Sequence, residues 1–333
     1  MKSKKRNKLA AGFIVLVMML TGVSIAAYCW SAEGESLQVT PLHCQEYIAD
    51  AWNTKDSLAE LNKNEEGRNG TLLHNNGKPF STDIFSDGQS QGNYLVAVYH
   101  TQENGVESEH YYFTNEPDDD REGLVMRISE SELSWRKSVD SIADSVKAGG
   151  EVKTYTWYHK KNAVLLAVLR TTVIVKRESS DTTIDGTKGS IWNVRAFTQL
   201  ERVNAARING YRTGLSVDQT NQKLLSYGPI GDKSGGTVGV SLTGLGASSV
   251  SDSFRISGFS VSDLSSISKK YGRWDFRDNF GSLKTIATEP GIRASNTSGA
   301  FVTELNHVSF LNTSSVVDDA YQTGIIRIWT PDR

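Results

Sequence analysis

The sequence predicts a mainly β protein, with an antiparallel, sandwich-like domain over residues 151–333 and a smaller α+β region over residues 40–150. Two observations support this fold class. After residue 150, short β-rich segments alternate with Gly, Ser and Asp turns at a spacing of roughly 8 to 12 residues, which is typical of sandwiches. Before residue 150, a β-hairpin pattern is followed by an amphipathic helical pattern.

The first thirty residues predict export. A basic run, Lys2–Lys8, precedes the uncharged apolar segment Leu9–Trp30, which has small residues near its end at Ser24 and Ala26. This is the pattern of a secretory signal peptide cleaved after Ala26, with residues 27–39 as a linker. The apolar segment read whole is also long enough to remain as an uncleaved membrane anchor. We therefore expect a secreted, extracellular or cell-surface protein, with membrane anchoring as the alternative.

The region 40–150 contains one hairpin pattern and helical patterns on both sides of it, including a short one over Asp56–Leu61. The segments Asn93–His100 and Glu109–Thr114 are rich in β-formers and flank Asn104-Gly105, a favoured hairpin turn. A short helix is predicted to begin at Thr40-Pro41. A longer helix is predicted over residues 130–147, with an apolar stripe at helical spacing that comprises Trp135, Val139, Ile142 and Val146.

Residues 151–333 are predicted to contain strands throughout. Ala163–Arg177 is nearly all apolar at its start, as expected of a strand buried on both faces. Asp185-Gly186 is a second hairpin turn. The imperfect alternation of Ser190–Glu201 indicates a bulge. Other predicted strands are 151–160, 211–217, 224–227, 237–245, 253–261, 273–276, 300–310 and 324–329, with one helical turn near 262–270.

The segment Thr237–Val261 is the strongest candidate for a functional element. Its apolar residues alternate with Ser, Thr and Gly, so one face of the predicted hairpin carries Val238, Val240, Leu242, Phe254 and Ile256. A membrane-inserting hairpin needs such a pattern, although Asp252 interrupts the apolar face. An ordinary sandwich strand pair with one face on the core has the same alternation, and we favour that interpretation. The composition is similar to that of the stems of secreted β-pore-forming toxins, and no motif assigns a family.

Four tryptophans on predicted strands are candidates for glycan or lipid contact, namely Trp157, Trp192, Trp274 and Trp329. Exposed indole rings stack on sugars and locate at lipid interfaces. Core packing is the commoner use of tryptophan in a globular domain.

The sequence contains no recognisable catalytic, metal-binding or cofactor-binding motif. Its two cysteines, Cys29 and Cys44, exclude a disulfide-rich scaffold and a thiolate metal site. The acidic residues 118–120 lack the ligand spacing of a calcium loop. Asp275 and Asp278 would form a glycosidase pair only if the fold brought them about 5 to 10 Å apart.

We therefore expect an exported, non-catalytic binding or interaction protein without a cofactor. Its partner is a glycan, a membrane surface or another protein, and the net charge of −2 argues against nucleic acid. The first alternative is a membrane-active, pore-forming toxin-like protein that uses the hairpin 237–261. The second is a secreted glycan-processing enzyme.

Overall fold

The computed structural model describes residues 94–103, 106–116, 150–204, 206–242, 250–313 and 318–330. These residues form two packed, largely antiparallel sheets, which confirms the mainly β, sandwich-like prediction. The described ranges contain no helix that is long and apolar enough to cross a membrane. The predicted signal segment, the helices predicted before residue 150 and the acidic residues 118–120 lie outside the described residues.

The first sheet has eight strands in the order β1-β2-β3-β4-β5-β12-β7, and β11 pairs with part of β5. All of its pairings are antiparallel except that of β2 with β3, which is parallel. The strands are β1 Tyr94–Glu103, β2 Val106–Thr114, β3 Gly150–Lys161, β4 Val164–Ile184, β5 Thr187–Arg202, β7 Gln222–Gly228, β11 Thr285–Thr288 and β12 Gly291–Asn296.

The second sheet has seven strands in the order β14-β13-β6-β10-β9-β8, and β15 pairs with part of β13. Its free edge at one side is β8, the first strand of the hairpin singled out in the sequence. The strands are β6 Arg207–Ser216, β8 Lys233–Leu242, β9 Val250–Asp263, β10 Tyr271–Asp278, β13 Phe301–Asn312, β14 Asp319–Gln322 and β15 Ile326–Thr330.

The core lies between the two sheets. Alternate residues of each strand point into it, because side chains alternate between the faces of a sheet. Trp192 of the first sheet stacks on Phe301 of the second, with ring centroids 4.8 Å apart. Residues of both sheets contribute fully buried side chains, among them Leu169, Val173, Ile208, Leu215, Phe276 and Leu305. This continuous apolar layer holds the two sheets together.

The hairpin turn at Asp185-Gly186 is confirmed, since it joins β4 to β5 and both residues have positive φ. The bulge predicted within Ser190–Glu201 is wrong, because the extra residues lie in β4, whose register against β5 shifts between Arg177 and Thr182. The helical turn predicted near 262–270 is wrong. Those residues end β9 and form a hydrogen-bonded turn, in which the Lys270 amide donates to the Ile267 carbonyl at 3.0 Å.

Residues on both sides of position 150 belong to the first sheet. Strand β2 pairs with β3 over seven residue pairs, from Ser108–Val152 to Thr114–Tyr158. Tyr111 stacks on Tyr155 with ring centroids 5.2 Å apart. The domain boundary at residue 150 stays a prediction, and β1 and β2 must be included in any account of the C-terminal core.

Candidate functional site

The hairpin formed by β8 and β9 occupies the free edge of the second sheet. Strand β9 pairs with the next strand inward, β10, over Phe259–Asp263. Among the described strands, residues 250–256 of β9 pair with β8 alone. The hairpin therefore has two parts. Its base, which includes Phe259–Asp263 of β9, is paired with the rest of the sheet, and its distal half, which includes residues 250–256 of β9, extends past the neighbouring strand.

Side chains on the two arms alternate regularly between the inside and the outside. Val238, Val240, Leu242 and Ile256 are at most 2 % exposed, and Phe254 is partly buried against the core. The intervening side chains face solvent and are small or polar, apart from one arginine: Thr237, Gly239, Ser241, Ser253, Arg255 and Ser257. The hairpin is therefore amphipathic in three dimensions as well as in sequence.

A glycine-rich bulge separates the base of the hairpin from its distal half. Ser234 pairs with Ser260, but the next pair joins Gly236 to Ile256, so β9 contributes more residues than β8. Gly235, Gly236 and Gly258 have φ of 77°, 87° and 82°, a region that other L-residues enter at a cost. Because the bulge shifts the alternation by one residue, Ile256 and Phe259 both point inward.

The distal half lies across the open side of the sandwich and contacts both sheets. A β-carbon built on Gly228 of β7 would lie 2.9 Å from Cγ1 of Val240. One built on Gly291 of β12 would lie 3.2 Å from Cδ1 of Leu242. The Phe254 ring meets Phe276 of β10 edge-on at 6.3 Å. The hairpin thus closes the gap between the two sheets with its apolar face.

The structure places the four candidate tryptophans in the interior. Trp157, Trp192, Trp274 and Trp329 are 0 to 2 % exposed. The indole nitrogen of Trp274 donates to the Pro229 carbonyl at 2.8 Å, just before the hairpin begins. In this conformation the four rings are not available to a glycan or a lipid.

The two candidate carboxylates serve the structure of β10 and its following turn. Asp275 bonds the guanidinium groups of Arg212 and Arg277 at 3.2 and 3.1 Å. Asp278 accepts hydrogen bonds from three backbone amides, those of Phe280, Gly281 and Leu283. Within the described ranges, no three His, Cys, Asp or Glu side chains converge as metal ligands.

Sequence reasoning missed the bulge that divides the hairpin. The signal was available, because a glycine within a strand pattern commonly marks a bulge. Gly235-Gly236 precedes the first arm and Gly258 interrupts the second. The sequence prediction instead treated both arms as straight strands over 237–245 and 253–261.

No protein-family model and no curated protein matches the chain. Among solved structures it is similar to one described as a pore forming protein, at 11% identity and TM-score 0.31 over 54% of this chain and 86% of that one. It is similar to Clostridium perfringens delta-toxin, at 8% identity and TM-score 0.31 over 70% of this chain and 92% of that one.

It is also similar to the membrane-inserted form of the Clostridium perfringens NetB toxin, at 11% identity and TM-score 0.25 over 55% of this chain and 92% of that one. Scores this low carry no argument about the fold or the activity of this chain.

Proposed function

We propose that this is an exported membrane-active protein that forms pores by inserting the β8–β9 hairpin into a lipid bilayer. The predicted leader over residues 1–26 would deliver the chain outside the cell that makes it. The observation that carries the proposal is the amphipathic hairpin docked at a sheet edge beyond a glycine-rich bulge. That the chain is a non-catalytic binding protein stays a prediction, and the geometry points to no particular ligand for it.

The two faces of the hairpin suit the two environments of a transmembrane strand pair. Strands that cross a bilayer next to water alternate apolar residues toward lipid with polar residues toward the aqueous side. The inward face, which includes Val238, Val240 and Ile256, would turn to lipid. The solvent-exposed face, made of Ser, Thr, Gly and Arg255, would line water. The side chains of the polar face would thus contact water both before and after insertion.

The position of the bulge supports movement of the distal half as one unit. The distal part of β9, residues 250–258, covers nine of the strand's 14 residues, and a tilted strand needs about 9 to 11 to span a bilayer. Because residues 250–256 pair with β8, the ladder within the hairpin can persist while the hairpin leaves the sandwich. The positive-φ glycines provide the backbone freedom for that rotation.

The energetics favour the docked state in water. Moving Val238, Val240, Leu242 and Ile256 into water would cost roughly 6 to 12 kcal/mol, at about 1.5 to 3 kcal/mol for each side chain. A bilayer would offset this cost by accepting the same side chains. Membrane contact would therefore be needed for release of the hairpin.

A reversible crosslink tests the proposal. The variant Gly228→Cys/Val240→Cys, with Cys29 and Cys44 changed to Ser, ties the distal half to β7. Cγ1 of Val240 marks the position that a cysteine sulfur would take, and it lies 2.9 Å from a β-carbon built on Gly228. A disulfide with an S–S length of about 2.04 Å sets a similar distance between the β-carbon of one cysteine and the sulfur of the other. We expect the oxidised variant to release no dye from liposomes and the reduced variant to release it as the wild type does.

A second crosslink is the matched control. Ser260→Cys/Arg277→Cys joins β9 to β10 at directly opposed residues on the base side of the bulge. Dye release should survive this crosslink, because the distal half remains free to swing. A wild-type protein that releases no dye, or a distal crosslink without effect, would contradict pore formation by this hairpin.

A further inference from the structure

An exposed phenylalanine lies in the turn that contacts the bulge of the hairpin. Phe280 belongs to the turn 278–284 after β10 and is 79 % exposed, more than any other large apolar side chain of the described chain. The Asn279 amide donates to the Gly258 carbonyl at 3.2 Å. A β-carbon built on Gly258 would lie 3.0 Å from Cδ2 of Leu283. The exposed ring is therefore part of a turn that touches the bending site of β9.

The turn is ordered without any contribution from the Phe280 ring. The Asp278 carboxylate accepts hydrogen bonds from the amides of Phe280, Gly281 and Leu283 at 2.8 to 2.9 Å. Leu283 packs against the core. Single exposed apolar side chains are common on protein surfaces. The meaning of Phe280 therefore depends on its neighbours and on its position relative to the hairpin.

A second exposed apolar side chain lies at the same end of the molecule. The Arg202 amide donates to the Lys284 carbonyl at 2.9 Å, and the Val203 amide donates to the Leu166 carbonyl at 2.7 Å. These bonds connect the turn 278–284 to the start of β4, where Val164 is 51 % exposed.

Basic groups at this end are available to a partner outside the chain. Arg202, Arg207 and Lys284 form no ion pair or side-chain hydrogen bond with any described residue. Arg207 lies at this end because β6 pairs with β10 through Gly210 and Arg277, three residues further on. Lipid phosphates are suitable partners for such groups.

Most carboxylates at this end are already engaged. Asp278 holds the turn, Asp318 accepts a hydrogen bond from Asn209, and Asp319 pairs with Lys161 at 2.7 Å. Glu201 is the exposed exception. The side chains that remain free for an outside contact are therefore mainly apolar or basic, which suits a lipid interface.

The register of β9 gives the direction in which a released hairpin would extend. Phe259 pairs with Asp278, the last residue of β10, so the residues before Phe259 continue beyond that end of β10. In the docked state they bend at the bulge, and a straightened hairpin would pass the turn 278–284. Residues 250–258 number nine, the lower end of the length that spans a bilayer. Gly258 and the turn beside it would then have to lie at the lipid surface.

We propose that the turn 278–284 docks the protein on a phospholipid bilayer, with the Phe280 ring at the boundary of headgroups and acyl chains and Lys284 beside lipid phosphates. The depth argument rests on the proposed function, whereas docking itself requires no insertion. Three other exposed aliphatic side chains lie at the opposite end of β10 and would face away from the lipid, namely Ile230, Leu264 and Ile267.

Vesicle flotation with the hairpin locked tests the proposal. The oxidised Gly228→Cys/Val240→Cys protein is mixed with vesicles of equal parts phosphatidylcholine and phosphatidylserine, so that docking is measured without insertion. Phe280→Ala in this background should weaken binding by at least about tenfold, because the ring no longer leaves water. Urea unfolding should not change, since the side chain is exposed.

Ile230→Ala is the matched control, since Ile230 is 61 % exposed at the opposite end. It should bind vesicles as the locked parent does. Equal weakening by both variants, or weakening by Ile230→Ala alone, would overturn the proposal, as would a locked parent that binds no vesicles.

A charge comparison tests the basic part of the surface. Lys284→Gln should weaken binding about fivefold on these vesicles, as expected for one lysine near an anionic surface. Lys269→Gln removes an exposed lysine at the opposite end and should have no effect. Equal effects of the two changes would mean general attraction of positive charge to the vesicle and would contradict a defined docking surface.

Dye release separates docking from the proposed function. Vesicle binding that depends on Phe280, in a protein that never releases dye, would support docking and refute pore formation. Dye release by the unlocked protein that Phe280→Ala leaves unchanged would overturn docking by this turn while pore formation stands.

Discussion

Two hairpins of this molecule share a motif but differ in how firmly they are held. The β4–β5 hairpin lies inside the first sheet, with β3 on one side and β12 and β11 on the other. The β8–β9 hairpin lies at the edge of the second sheet, and its distal half has no further strand partner among the described residues. Strand pairing on both sides fixes residues 164–176 of β4 and 190–201 of β5 in the first hairpin, whereas side-chain packing alone fixes the distal half of the second.

Glycine accounts for much of the difference. Val164–Ile184 contains no glycine over 21 residues and is rich in β-branched side chains, which stiffen a strand. Lys233–Leu242 contains three glycines in ten residues, two of them at positive φ in the bulge. Glycine weakens a strand and permits a bend. The same chain thus contains a permanent hairpin and one with a built-in site of bending.

The largest effect that this comparison predicts concerns β1 and β2. We group these strands with the β4–β5 hairpin as the permanent part of the molecule, meaning the part that stays in the sandwich when the β8–β9 hairpin leaves. The fragment 151–333 lacks Tyr111 and Phe113, which stack on Tyr155 and Trp157 at 5.2 and 5.6 Å. Loss of two buried aromatic side chains costs about 6 to 10 kcal/mol, which is comparable to the whole stability of a domain. It also leaves β3 as an open edge.

We expect fragment 151–333 to be unfolded or aggregated in size-exclusion chromatography and circular dichroism. The fragment 94–333 is the control and should be better ordered. A soluble, β-rich 151–333 monomer would instead support the domain boundary at residue 150. It would also place β1 and β2 outside the permanent part of the molecule.

The sequence was sufficient for the features that depend on local pattern. Alternation located most strands and the inward residues of the hairpin, and turn chemistry located Asp185-Gly186. It could not reveal that β2 pairs in parallel with β3, because a pairing across more than thirty residues leaves no periodic signal. Strands β11, β12 and β14 were also missed. They are four to six residues long and too short for alternation to stand out.

The tryptophans show a second limit of sequence reasoning. An amphipathic strand indicates which residues share a face, but the partner of that face depends on the other sheet. Trp192 could have been exposed until Phe301, more than one hundred residues later, was placed on its ring. Phe280 was not singled out for the same reason, since the segments around its turn come from separate parts of the sequence.

Two truncations of buried residues compare the two hairpins directly, and each should lower the free energy of unfolding by an intermediate amount. Leu169→Ala on β4 should lower the free energy of unfolding by about 3 kcal/mol, because its fully buried side chain leaves a cavity. Val238→Ala on β8 should cost about 2 kcal/mol for the two carbons removed. Urea unfolding measures both losses, and hydrogen exchange locates them.

The location of the loss distinguishes the two hairpins. Val238→Ala should speed exchange within 236–256 and leave β4 protected, since the distal half opens by itself. Leu169→Ala should change exchange across both sheets. If Val238→Ala acts on the whole molecule as Leu169→Ala does, the hairpin is as permanent as β4–β5.

The smallest expected change in stability gives the most specific test of function. Arg255 is exposed on the outward face of β9 and is the one ionisable side chain among the described outward residues of the distal half. Arg255→Glu should alter the free energy of unfolding by less than about 0.5 kcal/mol, as is usual for surface changes. If this face lines water in an inserted hairpin, the reversed charge acts directly on passing ions. Reversal potentials in a planar bilayer should then shift toward cation selectivity.

Lys188→Glu is the control, because it makes the same charge change on β5, where Lys188 pairs with Asp181 on the exposed surface. It should leave selectivity unchanged. Equal shifts from both variants would mean that net charge, and not the hairpin face, controls the ions.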